Sequence, residues 1–198
     1  MVHEQHVASP HCQRITEPDG SVMDVFTLPA DAASLEAILR DLFENHWRDL
    51  TFGPIIQGAA WEMQAASAPT QIGMLDGYIT IAFGAPHFHL CIGEHKGTSS
   101  HPVTEELARH RRTARAEMYR QLDPDGAAVS WGLRLLNGKD EQQITILLPN
   151  PLLSPNNEKI LKTPDWSRLA LWDHLRARWL GLTEADPLDR TARRFRHG

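Results

Sequence analysis

The residues best suited to chemistry lie in one short run, Pro86-His87-Phe88-His89-Leu90-Cys91. Side chains alternate between the two faces of a β-strand, so His87, His89 and Cys91 are predicted to share a face. Imidazole nitrogen and thiolate sulfur are ligands that suit transition metals and disfavour magnesium and calcium. The run therefore predicts a transition-metal site, with zinc or iron as the first choices and copper or nickel as the next.

The three side chains do not have equal reach. Same-face neighbours on a strand lie about 6.6–7 Å apart at the Cα atoms, so two histidines can converge on one ion. The shorter Cys91 needs favourable rotamers or a bend at Gly93, and a free cysteine often packs as a small buried residue. His87 and His89 are therefore the strongest ligand predictions, and Cys91 is a conditional third.

The rest of the predicted site is open to several residues. His95 and Glu94 follow the strand directly, and His101, His110 and His46 are further candidates for the completing ligand. We predict His95 as a ligand and Glu94 as a general acid or base, since an open position on the ion could activate water. Loop glutamates without any chemical role are the common alternative.

The spacing from His87 through His89 to Glu94 resembles the first metal-binding motif of cupins over about eight residues. The glycine expected six positions before the first histidine is Ile81 here, and the second cupin motif is absent. The resemblance therefore describes local metal chemistry only, and no family is assigned from it.

Arginines supply a second kind of candidate chemistry. Arg109 and Arg112 belong to a cationic stretch that is predicted to be helical, and Arg134 lies inside an apolar strand pattern. Guanidinium groups bind carboxylate or phosphate bidentately, so these three residues predict binding of a small anionic substrate or cofactor. The alternative for the helix is a solvated charged face, and Arg134 needs a partner or solvent.

Composition excludes several classes of protein. The chain has 198 residues and a formal net charge of -5, so it offers no basic field for nucleic acid or an anionic membrane. No apolar run reaches the roughly 18 residues that a membrane span needs. Two cysteines, Cys12 and Cys91, are too few for a disulfide scaffold, which favours a cytoplasmic protein.

The elements that must position these residues are predicted in the order β-α-β-β-β-α-β-β-α. Asp31 is the predicted N-cap of the first helix, the second helix is predicted over residues 103–122, and the third begins at Thr163-Pro164 and ends at Gly181. Strands grouped in antiparallel sets predict an α+β fold with three helices packed on one main sheet. We predict a tail over residues 1–21, one domain over 22–183 and a charged tail over 184–198.

Three functions fit these patterns. The first is a transition-metal protein that uses the His-x-His-x-Cys strand, in one form a metal-dependent enzyme acting on a small anionic molecule. The second is a non-catalytic metal-handling or accessory protein. The third is a metal-free ligand-binding or assembly module, and the tryptophan-rich third helix is compatible with a homodimer.

Overall fold

The computed structural model describes residues 12–56 and 58–195. Three α-helices lie in these residues: α1 (Ala32–Arg40), α2 (Glu105–Arg111) and α3 (Ala170–Leu180). A π-turn (Asp41–Asn45) and a 3-10 turn (Trp47–Asp49) follow α1, and further 3-10 turns span Trp166–Leu169 and Pro187–Arg190. The strands are β1 (Cys12–Thr16), β2 (Val22–Leu28), β3 (Thr51–Gly53), β4 (Ile55–Ile56), β5 (Ala59–Ala60), β6 (Gln71–Leu75), β7 (Tyr78–Ala82), β8 (His87–Cys91), β9 (Gly97–Thr98), β10 (His101–Pro102), β11 (Thr113–Leu122), β12 (Ala128–Asn137) and β13 (Gln142–Leu147).

The predicted α+β class is confirmed, with antiparallel sheet and three helices. The largest sheet has the strand order β1-β2-β11-β12-β13-β3, and a second sheet has the order β6-β7-β8. Two short ribbons pair β4 with β5 and β9 with β10. The strand that carries the candidate ligands, β8, lies at an edge of the three-stranded sheet.

The chain forms two compact units, whose boundaries fall inside β2, β11 and β12 and just before Asn150. Among the described residues, unit 1 comprises 12–27, 118–131 and 150–195, and unit 2 comprises 28–56, 58–117 and 132–149. The sequence prediction of one domain over residues 22–183 stays a prediction.

Unit 1 has an aromatic core closed by the C-terminal segment. Phe26 of β2 meets Trp172 of α3 edge to face, with ring centroids 5.7 Å apart. The ring N–H groups of Trp131 and Trp172 donate to the fully buried Asp189 at 3.0 and 2.8 Å. Part of the predicted C-terminal tail is therefore ordered structure, because Asp189 gives two buried indoles their acceptor.

Part of the predicted N-terminal tail is also regular structure. Residues 12–16 form β1, which pairs antiparallel with β2. This strand is only partly buried, so its sequence does not need alternating apolar residues. The pattern that would have predicted a strand is therefore missing. The earlier histidines of that predicted tail, His3, His6 and His11, lie outside the described residues.

Unit 2 contains α1 and the three-stranded sheet. The predicted N-cap is confirmed, since the Asp31 side chain accepts from the Ser34 N–H at 3.0 Å. Leu35, Ile38 and Leu39 of α1 are buried, as their helical spacing predicts. A cluster of phenylalanines, Phe43, Phe52, Phe83 and Phe88, packs with ring centroids 5.0–6.1 Å apart.

The prediction of one long helix over residues 103–122 is wrong. The helix α2 stops at Arg111, and residues 113–122 form the strand β11. Alanine, arginine, glutamate, methionine and leucine in this stretch favour a helix by intrinsic propensity. Burial overrides that preference, because seven of the ten β11 residues are buried, charged Glu117 and Arg120 among them.

The third helix also starts later than predicted. Asp165 caps a 3-10 turn over Trp166–Leu169, and α3 follows from Ala170. The predicted C-cap is confirmed, since Gly181 has the left-handed conformation, with φ of 69°.

Candidate functional site

The pairing of β8 with β7 sets the geometry of the predicted metal ligands. His87 lies opposite Ala82, His89 opposite Thr80 and Cys91 opposite Tyr78. Alternating pairs of this kind share one face of the sheet, as the period of two predicts. The two histidines are exposed and Cys91 is buried, so the same face changes from solvent to core along the strand.

His87 and His89 lie side by side. Their ring centroids are 5.1 Å apart, and the rings meet edge to face. His87 Nδ1 lies 2.9 Å from the Ala85 carbonyl oxygen, and because a carbonyl can only accept, Nδ1 carries the proton. In the neutral ring the lone pair is then on Nε2, which is the tautomer that a metal ligand needs.

The second histidine has a similar anchor. His89 Nδ1 lies 2.7 Å from the Thr80 hydroxyl oxygen, which can donate or accept. When His89 donates, its Nε2 also carries a free lone pair. Two nitrogens bound to one tetrahedral zinc lie about 3.4 Å apart, and the centroids of the two histidine rings are 5.1 Å apart.

An apolar cavity of about 240 Å³ adjoins the two histidines. His87 and His89 line it together with aromatic and aliphatic side chains, namely Phe52, Trp61, Met63, Phe83, Phe88 and Leu90. Trp61 remains 67 % exposed. The pair therefore stands beside a space that suits the apolar part of a small molecule.

Cys91 is held separately from the histidine pair. Its thiol lies 3.8 Å from the Gly93 carbonyl oxygen and interacts with the Tyr78 hydroxyl. Burial raises the pKa of the Cys91 thiol, although the Tyr78 hydrogen bond and the charges of Arg111 and Arg112 oppose that rise. A protonated, packed thiol agrees with the alternative considered for Cys91 from the sequence.

His95 belongs to a loop anchored on Asp76. Its Nδ1 lies 2.8 Å from an Asp76 carboxylate oxygen, and the backbone N–H groups of Lys96 and Gly97 donate to the same carboxylate. Arg111 Nη1 lies 3.1 Å from His95 Nε2. Both ring nitrogens of His95 therefore have partners, whereas His87 and His89 use Nδ1 only in the contacts described above.

None of the predicted acid–base and anion-binding residues lines the cavity beside the histidine pair. Glu94 is 74 % exposed and pairs with Lys96 at 3.2 Å. Arg109 and Arg112 are exposed on α2 and at its C-cap. Arg134 is buried, and its Nε donates to the buried Glu117 at 2.8 Å, so it has the partner that its position in a strand demands.

Asp41 is a candidate ligand that the sequence pattern missed. A carboxylate oxygen of Asp41 and a ring nitrogen of His46 lie within 4.8 Å of one another. Residues five apart are not neighbours on an α-helix. A π-turn such as Asp41–Asn45 has hydrogen bonds between residues five apart, so it brings such residues closer together. An Asp-x-x-x-x-His spacing at a helix end is the signal that could have found them.

Two pairs of candidate ligands lie close together in unit 2, His87 with His89 and Asp41 with His46. No three described residues of this unit place histidine, cysteine or carboxylate ligand atoms within 4.8 Å of one another. A metal held by the His87–His89 pair would thus keep most of its coordination positions for water or a small ligand.

The comparisons with known proteins identify a family but no activity. No curated protein and no solved structure matches the chain. No helix in the described part of the chain is long and apolar enough to cross a membrane. Residues 12–181 match a family described as a family of unknown function (DUF7676), and the chain belongs to that family.

Proposed function

We propose that the protein binds a transition-metal ion, zinc or iron first, through Nε2 of His87 and Nε2 of His89. The ion would present its remaining coordination positions to a small molecule whose apolar part enters the adjoining cavity. The observation that carries the proposal is the hydrogen bond from His87 Nδ1 to the Ala85 carbonyl, which leaves the Nε2 lone pair beside the His89 ring.

Three features support this choice of ligands over the wider predicted set. The histidines are exposed, they are adjacent, and both are fixed through Nδ1. Cys91 and His95 lie towards the other end of β8 and have their own contacts. The chemical roles of Glu94, Arg109 and Arg112 stay predictions. The exposed positions of these residues do not favour those roles.

Metal analysis of the untagged full chain tests the proposal. Zinc titrated into the metal-free wild type should bind one ion per chain, and His87→Ala/His89→Ala should weaken binding at least tenfold. With copper, the electron paramagnetic resonance spectrum should show coupling to two imidazole nitrogens. The matched control is His101→Ala, which removes another exposed histidine of unit 2. Unchanged affinity in the double variant would overturn the proposal.

A second metal position is supported by the Asp41–His46 pair. Carboxylate and imidazole together are ordinary zinc ligands, and the pair is already close. If His46→Ala abolishes zinc binding while His87→Ala/His89→Ala retains it, the ion belongs to this pair instead. Exchange of water on the bound ion, measured by proton relaxation with manganese, would favour a catalyst over a carrier.

A further inference from the structure

A cavity of about 670 Å³ lies within unit 1, far larger than the one beside the histidines. It lies against β1, β2, α3 and the loop of residues 181–187 that follows the Gly181 cap. Its apolar lining includes Phe26, Leu182 and Pro187. Its polar lining includes three arginines, Arg14, Arg120 and Arg176.

Two of these arginines already bind carboxylates. Arg14 donates from Nε and Nη2 to the two carboxylate oxygens of Asp24, at 2.7 and 3.1 Å. Arg120, only 3 % exposed, donates to Asp24, Asp186 and Asp189 at 2.8–3.0 Å. Arg120 is therefore satisfied by carboxylates, and Arg14 is 57 % exposed, so that water can reach it.

Arg176 differs from them. Its side chain is only 6 % exposed, and its Nε is buried with no hydrogen-bond partner among residues 12–56 and 58–195. Nη1 donates to the Glu184 carbonyl oxygen at 3.2 Å and lies 3.7 Å from Asp189. Asp189 already accepts from Trp131, Trp172 and Arg120, so it satisfies Arg176 only weakly.

A buried guanidinium with an unused donor, set in the wall of a cavity, is a place for an acceptor. A carboxylate can bind two N–H groups of one guanidinium edge at once. The arginines of the cluster equal in number the carboxylates that they contact, Asp24, Asp186 and Asp189. Glu184 also lines the cavity, so a dianion would meet an acidic surround, whereas a single negative charge can pair with Arg176.

We infer that unit 1 binds a small monocarboxylate, with its carboxylate on Arg176 and its apolar body against Phe26, Leu182 and Pro187. This site is independent of the metal site proposed for unit 2.

A ligand titration of the full chain tests the inference. The probes are acetate, butyrate, benzoate and phenylacetate, with benzamide and inorganic phosphate as the neutral and multiply charged comparisons, all followed by saturation-transfer NMR. At least one apolar monocarboxylate should bind with a Kd of about 1 mM or tighter. Benzamide and phosphate should bind about tenfold more weakly or not at all.

Three variants locate the binding. Arg176→Lys keeps the charge but loses the fork, and should weaken binding about tenfold or more. Leu182→Trp fills the cavity while Arg176 itself is kept, and should also weaken binding. Arg178→Lys changes an exposed arginine of the same helix, and should leave the affinity unchanged. Thermal unfolding of each variant verifies that it is folded.

A thiol readout separates binding in this cavity from binding elsewhere. Cys12 lines the cavity, so a bound carboxylate should slow its alkylation by iodoacetamide. Failure of all four monocarboxylates to bind the wild type would overturn the inference. Equal affinity in the wild type and in folded Arg176→Lys and Leu182→Trp would also overturn it.

Discussion

Glu117 and Arg134 form a buried ion pair on neighbouring strands of unit 2. Their side chains are 4 % and 9 % exposed, and Arg134 Nε donates to Glu117 at 2.8 Å. Arg115, which is partly exposed, also donates to Glu117. Breaking a buried pair leaves a charge without its counterion, whereas removing both charges together leaves none. The pair therefore gives Arg134 a buried carboxylate partner, and its binding of an anion stays a prediction.

A double-mutant cycle at this pair should show strong coupling. Arg134→Met should lower the free energy of unfolding by about 3 kcal/mol, because Glu117 stays buried with only Arg115 beside it. Glu117→Leu/Arg134→Met should be less destabilised than the sum of the two single variants. Urea unfolding measures all four proteins, and additive losses would contradict the assigned pairing.

At the same scale, sequence reasoning located some candidate residues and missed others. His87 and His89 could be found because a period of two is a local property of one strand. Asp41 was missed because a π-turn departs from the helical spacing that pattern analysis assumes. Arg176 was missed because its unused Nε depends on partners far away in the sequence, which no spacing encodes.

At the scale of elements, a tight turn fixes the loop that follows β8. Asp76 and Gly77 connect β6 to β7 with φ values of 46° and 79°, as a hairpin turn with two left-handed residues requires. The Gly77 carbonyl accepts from the backbone N–H groups of Ile92 and Gly93. A Cβ atom at Gly77 would lie 2.5 Å from the Glu94 carbonyl oxygen. Only glycine therefore fits between the turn and this loop.

Alanine at Gly77 should destabilise the protein more than alanine at Gly84. Both glycines have a positive φ, but a Cβ at Gly84 meets nothing within 4 Å. Gly84→Ala should therefore cost about 1 kcal/mol for the backbone conformation alone. Gly77→Ala adds the collision with Glu94, and should cost about 1–3 kcal/mol more. Urea unfolding measures both, and equal losses would show that the loop moves freely aside.

Element prediction succeeded where local signals were strong. The cap at Asp31, the cap at Gly181 and the antiparallel return of β8 on β7 were all predictable from neighbouring residues. The strand β11 was not, because its propensity favours a helix while its burial as a strand depends on distant partners. Asn137-Gly138 is a strong local hairpin signal, and β12 does pair antiparallel with β13, but the residue with the positive φ is Asp140.

At the scale of the whole molecule, the ion pairs determine how stability depends on pH. Although burial alone would raise it, hydrogen bonds from Arg14 and Arg120 hold the pKa of Asp24 below its ordinary value. Burial alone would also raise the pKa of Asp186. Hydrogen bonds from the Leu188 N–H and from Arg120 outweigh burial and lower that pKa. In unit 2, the backbone N–H of Lys96 lowers the pKa of Asp76. Carboxylates in both units thus favour their ionised form in the folded chain.

The direction of the pH effect follows from these lowered values. A carboxyl group whose pKa is lower in the folded state binds a proton more readily when the chain is unfolded. Its contribution to stability is therefore complete above the unfolded value, about 3.9 for aspartate. That contribution is lost as the pH falls through the lower folded pKa. The free energy of unfolding should decline steeply below about pH 4, with no such loss from these groups between pH 5 and 7.

Asp186→Asn should remove part of this dependence. The variant should be less stable than the wild type at pH 7, because Arg120 loses one of its three carboxylate partners. The two proteins should converge in stability as the pH falls through the lowered pKa of Asp186, because Asp186 then becomes protonated in the wild type as well. Urea titrations at successive pH values measure the difference. Val129→Ala, which weakens the packing of the same unit without removing a charge, should keep a constant deficit at every pH, and a constant deficit in Asp186→Asn would contradict the assigned linkage.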